Sequence, residues 1–288
     1  MEWPFQVGRD PTGRIQFSHD HVLAEMRQGM YGQPKKARHM GFHMHVIGRL
    51  PAAYMAIAMR LLRACLALRM MPDMARAITL ISIPKPDGGF RPLALTHDLY
   101  AMLTNTIAKH MQTGTERAGL LRNCINAYRP GRSGTHLAAT QQCAIEDSRQ
   151  HNKPLYILLE DWQKFYDSIS VEVIVLALRA AGLSSQGYAQ WAAEALHERD
   201  IHVVTSAGTT GPVKREAGFM QGSSFSCVCV NYVVQLLHDM WMANDRGEGY
   251  TFNDASGTTV TSLSYCDDNN RLAGSLADIT EAVVQSGY

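Results

Sequence analysis

The sequence predicts an α+β fold in which helices pack on a sheet. Long segments with apolar residues at helical spacing are interspersed with short segments rich in β-branched residues. Two turn signals, over residues 87–89 and 266–269, each fall between segments of strand character, which predicts hairpins. The 288 residues are 46% apolar and 18% charged, an ordinary globular composition that does not favour disorder.

The N-terminal segment is predicted to be irregular at first and helical afterwards. Residues 1–48 are rich in Gly, Met, His and basic residues, and one helix is expected near residues 21–30. Residues 50–69 repeat apolar residues at helical spacing and are rich in Ala, Leu and Met, which predicts a helix. For the nearby histidines a solvated or packed loop is favoured over a metal site; they are His39, His43 and His45.

A hairpin with basic side chains is predicted next. Residues 77–84 are β-branched, residues 90–95 form the expected return strand, and a helix over residues 99–111 follows. Lys85 and Arg91 flank the turn and could meet over a triphosphate, because Arg offers bidentate contacts and Lys a point charge. The alternative is an ordinary exposed basic hairpin.

The second half of the chain is predicted to begin with a buried strand. Residues 155–159 are a continuous apolar run, typical of a strand buried on both faces. The other elements expected in this half are helices over residues 171–181, 186–198, 224–242 and 276–285, strands over 201–207, 258–265 and 270–273, and a turn over 208–211.

Three aspartates are the strongest candidates for chemistry. Asp161 directly follows the predicted strand of residues 155–159, and Asp267 and Asp268 lie in the second hairpin turn. If these carboxylates converge, divalent cations must neutralise them, and oxygen ligands suit Mg²⁺. Two such ions are the usual arrangement for in-line displacement at phosphorus. The alternative for Asp161 is an N-cap of a turn over residues 162–168.

A glycine- and serine-rich loop, residues 218–226, is predicted to open the long helix over residues 224–242. Glycines allow the backbone to approach a ligand closely, and a helix start presents free N–H groups. Many helices begin with Gly and Ser, so this signal is moderate by itself.

Charge is distributed unevenly along the chain. Residues 1–150 carry 19 Lys and Arg against 10 Asp and Glu, a net charge of +9, whereas residues 151–288 carry 8 against 16, a net charge of −8. The basic half suits phosphates and the acidic half suits cations, although chance sorting of surface charge is the alternative.

Cysteine usage and hydropathy exclude some classes of protein. The six cysteines show no paired CxxC spacing, so neither a disulfide framework nor a structural zinc at Cys227 and Cys229 is favoured. No apolar run approaches the roughly 18 residues of a membrane span, and no signal peptide is visible, so an intracellular location is expected without a specified compartment.

Five segments, in this order, resemble the reverse transcriptase family. Residues 83–93 are similar to its fingers signature Ile-Pro-Lys-x-x-Gly-x-x-Arg-Pro-Leu, and residues 127–133 to a segment ending in Arg-Pro-Gly-Arg-Ser. The three palm motifs are matched by Asp161, Phe165, Tyr166 and Asp167, then by Gly218, Gln221, Gly222, Ser226 and Asn231, and finally by Tyr265, Asp267 and Asp268. Cys227 stands where the family usually has proline.

The resemblance implies a right-hand polymerase fold with fingers and palm. Its expected organisation is an N-terminal extension over residues 1–69, fingers over 70–153 and a palm over 154–288, the palm being a small antiparallel sheet backed by helices. Only 20 residues, 269–288, follow the Asp-Asp pair, so the thumb is expected to be absent from this chain. The Arg-Pro-Gly-Arg-Ser segment points to enzymes of the non-LTR retroelement and group II intron type.

The resemblance also implies roles for the site residues. Asp161 and Asp267 would bind two Mg²⁺ ions (Mn²⁺ is possible), with Asp268 beside them, to copy an RNA or DNA template from a primer. The residues expected to contact the incoming deoxynucleoside triphosphate are Lys85, Arg91, Tyr166, Gln221 and Gly222, among which Tyr166 would be a steric gate against a ribose 2′-hydroxyl.

Two other functions remain open at the level of sequence. An RNA-dependent RNA polymerase shares the palm chemistry, but it typically has Gly before the Asp-Asp pair and no aromatic gate, where this chain has Cys266 and Tyr166. The other alternative is a truncated, non-catalytic nucleic-acid-binding remnant.

Overall fold

The structure, a computed structural model, describes residues 8–9, 15–16, 19–31, 43–86, 88–162, 164–183, 187–196, 199–215, 218–244 and 249–285. The chain divides into two compact units, which we call unit 1 (Met1–Ala118 and Tyr166–Cys229) and unit 2 (Gly119–Phe165 and Val230–Tyr288). Because the units do not follow chain order, the expected boundaries between extension, fingers and palm stay a prediction.

The described residues contain helices and short strands throughout, as expected for an α+β fold. The helices are α1 (His19–Gly29), α2 (Ala52–Leu68), α3 (Asp73–Arg76), α4 (Asp98–Ala118), α5 (Gly134–His151), α6 (Phe165–Ser168), α7 (Val171–Ala180), α8 (Tyr188–Leu196), α9 (Ser224–Asn244) and α10 (Leu276–Gln285), together with a 3₁₀ helix, Met44–Arg49. The strands are β1 (Gly8–Arg9), β2 (Ile15–Gln16), β3 (Ile78–Pro84), β4 (Phe90–Thr96), β5 (Tyr156–Asp161), β6 (Arg199–Thr205), β7 (Gly208–Thr209), β8 (Val213–Arg215), β9 (Tyr250–Thr251), β10 (Thr259–Val260), β11 (Ser262–Tyr265) and β12 (Asp268–Ala273).

Unit 1 is built on a five-stranded mixed sheet. β3 and β4 form the predicted hairpin and pair antiparallel along their whole length. β6 runs parallel to β3, and β7 and β8 each pair antiparallel with β6. The turn expected over residues 208–211 is wrong, because Gly208 and Thr209 form β7 and the turn lies over residues 206–207.

Helices of unit 1 bury a core of aromatic and aliphatic side chains. Tyr100 of α4 and Trp191 of α8 are completely buried. The Tyr100 hydroxyl donates to the carbonyl oxygen of Ala195 at 3.0 Å, and the Arg199 guanidinium lies 4.3 Å from the Tyr100 ring centroid. These contacts tie α4 to α8 and to the start of β6.

Unit 2 contains a three-stranded antiparallel sheet in the order β11-β12-β5. α10 packs against β12 and β5, and α5 packs against β11. The centre of its core is formed by four buried side chains, Ala144, Tyr250, Leu263 and Leu272. The prediction of a small antiparallel sheet backed by helices is confirmed.

One expectation about unit 2 is wrong, and one of its helices was not predicted. β5 is not buried on both faces: it lies at one edge of the sheet, and Leu159 is 68% exposed. α5 was not expected from the sequence, and Ala144 is its only buried residue. A helix that buries so little has no strong apolar stripe, so periodicity gives little signal for it.

Two further observations bear on the sequence analysis. None of the six cysteines, all of which the structure describes, forms a disulfide. Across the described ranges, no helix has the length and apolar character needed to cross a membrane.

Candidate active site

The β11–β12 hairpin presents two of the three candidate aspartates. Tyr265 of β11 pairs with Asp268 of β12, and the turn between them consists of Cys266 and Asp267. Cys266 has φ 62°, and a positive φ at the first position of a two-residue turn matches the twist of the flanking strands. The turn therefore places Asp267 at its tip, with Asp268 as the first residue of the return strand.

The third aspartate joins this pair through the neighbouring strand. Asp161, the last residue of β5, is the Cα partner of Asp268 in the β12–β5 register. Directly opposed residues of antiparallel strands have Cβ atoms roughly 4.5–5.5 Å apart. The structure thus brings the three candidates to one end of the unit 2 sheet, and Asp161 is a strand residue rather than the N-cap considered as its alternative.

The three carboxylates form a concentration of negative charge. Asp161 and Asp268 are exposed, and Asp267 is partly exposed. Partial burial, followed by the neighbouring charges of Asp267 and Asp161, raises the pKa of Asp268 above its ordinary value. Such a group of hard oxygen ligands fits Mg²⁺. One oxygen from each of these carboxylates does not lie within 4.8 Å of the other two.

The opposite face of the same strands carries a buried and neutralised carboxylate. Because side chains alternate along a strand, Glu160 faces away from Asp161. Glu160 accepts from Arg271 Nε at 3.2 Å and from Asn269 Nδ2. The Arg271 guanidinium also stacks 3.8 Å from the ring centroid of Trp241. Sequence reasoning missed Glu160, although its position next to Asp161 in a strand implied an opposite orientation.

A buried histidine extends this polar cluster. Ser264 Oγ donates to Asn269 Oδ1 at 2.6 Å, so its oxygen accepts from His238 Nε2 at 2.6 Å. His238 Nδ1 lies 2.8 Å from Ser262 Oγ, within hydrogen-bonding distance. Burial, followed by the charges of Arg271 and Arg122, lowers the pKa of His238 to about 4.

The basic hairpin belongs to unit 1. Lys85 and Arg91 are exposed, and Arg91 pairs with Ile83 across the β3–β4 ladder. The Lys85 amide donates to the Gly89 carbonyl at 2.7 Å, which closes the turn. Asp87 lies outside the described residues.

The glycine-rich loop lies against this hairpin within unit 1. The Ala94 amide of β4 donates to the Gln221 carbonyl at 3.2 Å. Gly222 has φ +97°, and a Cβ there would lie 2.7 Å from a methyl carbon of Leu93. The positive φ favours glycine at this position, and a larger residue would also displace the Leu93 methyl group. β3, β4, α4 and the Gly222 segment line a cavity of about 370 Å³.

The candidate gate residue packs against the same loop. The Tyr166 ring meets the Phe219 ring edge-on at a centroid distance of 6.2 Å, and the Phe219 amide donates to the Tyr166 carbonyl. Tyr166, Lys85, Arg91, Gln221 and Gly222 all belong to unit 1, whereas the three aspartates belong to unit 2.

Other motif residues have structural contacts within unit 2. Asn231 Nδ2 donates to the Ala127 carbonyl at 2.8 Å. Buried Arg129 donates to the Arg122 and Ile125 carbonyls at 2.7 and 2.9 Å. In this structure these side chains hold the loop that precedes α5.

Comparison with known proteins assigns the fold to a family. The family profile described as reverse transcriptase (RNA-dependent DNA polymerase) matches residues 83–285. The chain belongs to the reverse transcriptase family. This match contains all eight candidate site residues and supports the fingers–palm polymerase fold, and it identifies a domain of the RNA-directed DNA polymerase class. No curated protein matches the sequence.

Solved structures of telomerases share this fold. Apo telomerase from Candida tropicalis truncated from its C-terminal domain aligns over 76% of this chain at 11% identity, with a TM-score of 0.54. Telomerase from Candida albicans in complex with a TWJ fragment of telomeric RNA aligns over 76% at 13% identity, with a TM-score of 0.53. The chain spans 48% and 40% of those proteins, respectively.

Proposed function

We propose that this chain carries out template-directed DNA synthesis as a reverse transcriptase, by a two-metal-ion mechanism. The observation that carries the proposal is the register of the unit 2 sheet, in which Asp268 opposes Asp161 and Asp267 precedes it in the turn. The reverse transcriptase profile that spans all three aspartates supports the same chemistry.

The aspartates are proposed to hold the catalytic cations. Asp161 and Asp267 would bind both Mg²⁺ or Mn²⁺ ions, and Asp268 would contribute charge beside them. When bound, such ions lower the pKa of the primer 3′-hydroxyl and neutralise charge on the leaving pyrophosphate. The β11–β12 turn and the end of β5 hold the backbone of these three residues close together.

The unit 1 residues are proposed to bind the incoming nucleotide. Lys85 and Arg91 are exposed side chains at the end of the β3–β4 hairpin, where they can contact a triphosphate. The Gly222 segment presents backbone beside a cavity whose volume suits a small ligand. Tyr166 is proposed as the gate that selects deoxyribose.

A primed RNA or DNA template is the proposed macromolecular partner. The similar telomerase of Candida albicans is in complex with a fragment of telomeric RNA, and family membership supports an RNA template here. We further propose that the chain comes from a retroelement of the non-LTR or group II intron type, on the basis of the Arg-Pro-Gly-Arg-Ser segment at residues 129–133.

Primer extension tests the proposal. On an RNA template with a DNA primer and Mg²⁺, Asp267→Asn is expected to reduce deoxynucleotide incorporation by roughly 1,000-fold, because several kcal/mol of charge stabilisation are lost. The control Glu281→Gln removes an exposed charge from α10 of the same unit and is expected to leave incorporation unchanged.

Two results would overturn the proposal. Preferential incorporation of ribonucleotides by the wild type would indicate an RNA polymerase. The second result is that the wild type binds the primed template but does not lengthen the primer. If a longer chain that includes the downstream coding sequence also fails to lengthen it, the protein is a non-catalytic remnant.

A further inference from the structure

Three potential metal ligands meet in unit 1, and none of them is a residue of the proposed polymerase site. His43 immediately precedes the 3₁₀ helix, His45 lies in its first turn, and Asp98 is the first residue of α4. One ligand atom from each residue lies within 4.8 Å of the other two. In the part of the chain that the structure describes, no other group of three His, Cys, Asp or Glu side chains meets this condition.

The local backbone explains how residues so far apart in sequence converge. His43 is extended, with φ −123° and ψ 128°, and the chain then tightens into the 3₁₀ helix. The two imidazole rings consequently lie 6.3 Å apart, centroid to centroid. The amide of the intervening Met44 donates to Asp98 Oδ2, a contact that spans 54 residues. This bond draws the carboxylate towards the two histidines.

One separation in the cluster is close to the value that a small divalent cation requires. His45 Nδ1 lies 3.9 Å from Asp98 Oδ2. A tetrahedral Zn²⁺ with bonds of roughly 2.0–2.1 Å holds neighbouring ligand atoms about 3.3 Å apart. Side-chain adjustments of about half an ångström would close the observed separation to that value, which the partly exposed histidines can make.

Two imidazole nitrogens of the cluster have no hydrogen-bond partner among the residues that the structure describes. The Nδ1 atoms of His43 and His45 are both buried and have no hydrogen-bond partner. The Asp98 side chain is only 2% exposed. Buried polar atoms are nearly always paired. One cation bound at this cluster would give each imidazole ring a partner, with the Asp98 carboxylate beside it.

We propose that His43, His45 and Asp98 bind one Zn²⁺ ion. Two imidazoles and one carboxylate form a set that suits zinc and related transition metals, whereas Mg²⁺ prefers oxygen ligands throughout. The Met44 amide orients the carboxylate, the usual role of a second layer of hydrogen bonds around a metal. The three ligands leave a fourth position for water or another group.

The ion would clip the 3₁₀ helix to the start of α4. That junction directly follows β4 of the basic hairpin, since β4 ends at Thr96 and α4 begins at Asp98. A metal bound by His45 and Asp98 would close the loop between these two residues and restrict the unfolded chain. The bound metal would therefore stabilise unit 1. The site is independent of the catalytic proposal, because none of its ligands belongs to the proposed polymerase site.

Zinc titration of the purified full chain tests this site. After treatment with a chelator, and with excess Mg²⁺ present to occupy exposed carboxylates, the wild type is expected to bind one equivalent of Zn²⁺. His43→Gln and His45→Gln are each expected to weaken binding by roughly 100-fold or more, as loss of a ligand costs at least as much as loss of its supporting contacts. His202→Gln, a substitution on β6 of the same unit, is the matched control and should bind as the wild type does.

Thermal unfolding provides the second measurement. Zn²⁺ at about 100 times its dissociation constant should raise the Tm of the wild type and of His202→Gln by about 5 °C, and should not raise that of His43→Gln or His45→Gln. Circular dichroism checks that the variants fold. The proposal is overturned if the wild type binds no stoichiometric zinc, or if both histidine variants bind it unchanged. A metal-free His45–Asp98 ion pair predicts a Tm that is insensitive to zinc.

Discussion

Two adjacent cross-strand pairs between β5 and β12, which we call rungs, carry negative charge in opposite environments. In one rung Asp161 opposes Asp268, and both carboxylates are exposed. In the next, Glu160 opposes Asn269, and both side chains are buried. Glu160 is neutralised by Arg271, whereas the pKa of Asp268 is raised by partial burial and by the like charges of Asp267 and Asp161.

The difference teaches which carboxylate serves the fold and which serves the proposed chemistry. A buried charge is tolerated only when it is paired and hydrogen-bonded, and Glu160 meets both conditions. Opposed like charges destabilise a sheet. A contribution to stability therefore does not explain why Asp161 and Asp268 face each other. Repelling carboxylates at the end of a rigid sheet are what a cation site requires.

The largest expected effect on stability comes from breaking the buried rung. Glu160→Gln leaves the Arg271 charge buried without its carboxylate, so we expect it to lower the free energy of unfolding by about 3–5 kcal/mol. The matched change one residue along, Asp161→Asn, should alter it by less than about 0.5 kcal/mol. Chemical denaturation of both variants measures the two effects.

The comparison of the two rungs would fail under either of two outcomes. Equal destabilisation by Glu160→Gln and Asp161→Asn would mean that both carboxylates serve the fold. A stable Glu160→Gln protein would mean that the other contacts of Arg271, which include the Ala282 carbonyl and the Trp241 ring, compensate its charge.

A smaller effect on the free energy of unfolding is expected when the pH is lowered. The folded-state pKa of His238 is about 4, below the ordinary value of 6.5, so the unfolded chain binds more protons between these values. Stability should therefore be intact above pH 6.5 and should fall by about 3 kcal/mol as the pH drops towards 4. Arg271, Arg122 and Asp239 are the charged groups that influence this histidine.

Unfolding measured across this pH range checks the contribution of His238. His238→Gln should flatten the dependence whatever its effect on stability at neutral pH, whereas His202→Gln should leave it unchanged. A pH dependence that is identical in wild type and His238→Gln would show that other groups dominate acid unfolding.

The smallest expected effect on stability comes from the exposed Asp161–Asp268 rung. Asp268→Asn removes one of the opposed like charges and should raise stability by less than about 1 kcal/mol. Mg²⁺ should reduce this difference, because it stabilises the wild type more than the variant. Thermal unfolding with and without Mg²⁺ measures both changes, with Glu281→Gln as the control. A destabilised Asp268→Asn protein would contradict the repulsion.

Much of the local structure could be predicted because it depends on short-range patterns. The bounds of α10 and the presence of α2, α7, α9 and the β3–β4 hairpin follow from apolar spacing and turn residues. α5 escaped prediction because it buries almost nothing, and β5 was taken as doubly buried because apolar content does not reveal that a strand lies at an edge.

The sequence by itself determined the family and the chemical character of its motifs, because ordered Asp, Gly and Lys/Arg positions are local signals that survive without a structure. Tertiary structure decided which residues meet. Asn269 and Glu160 are 109 residues apart, and Met44 and Asp98 are 54 apart. Such pairings depend on strand register and helix placement, which are set by packing of the whole unit. For that reason the opposition of Asp161 to Asp268, the neutralisation of Glu160 and the meeting of His43, His45 and Asp98 emerge only in the fold.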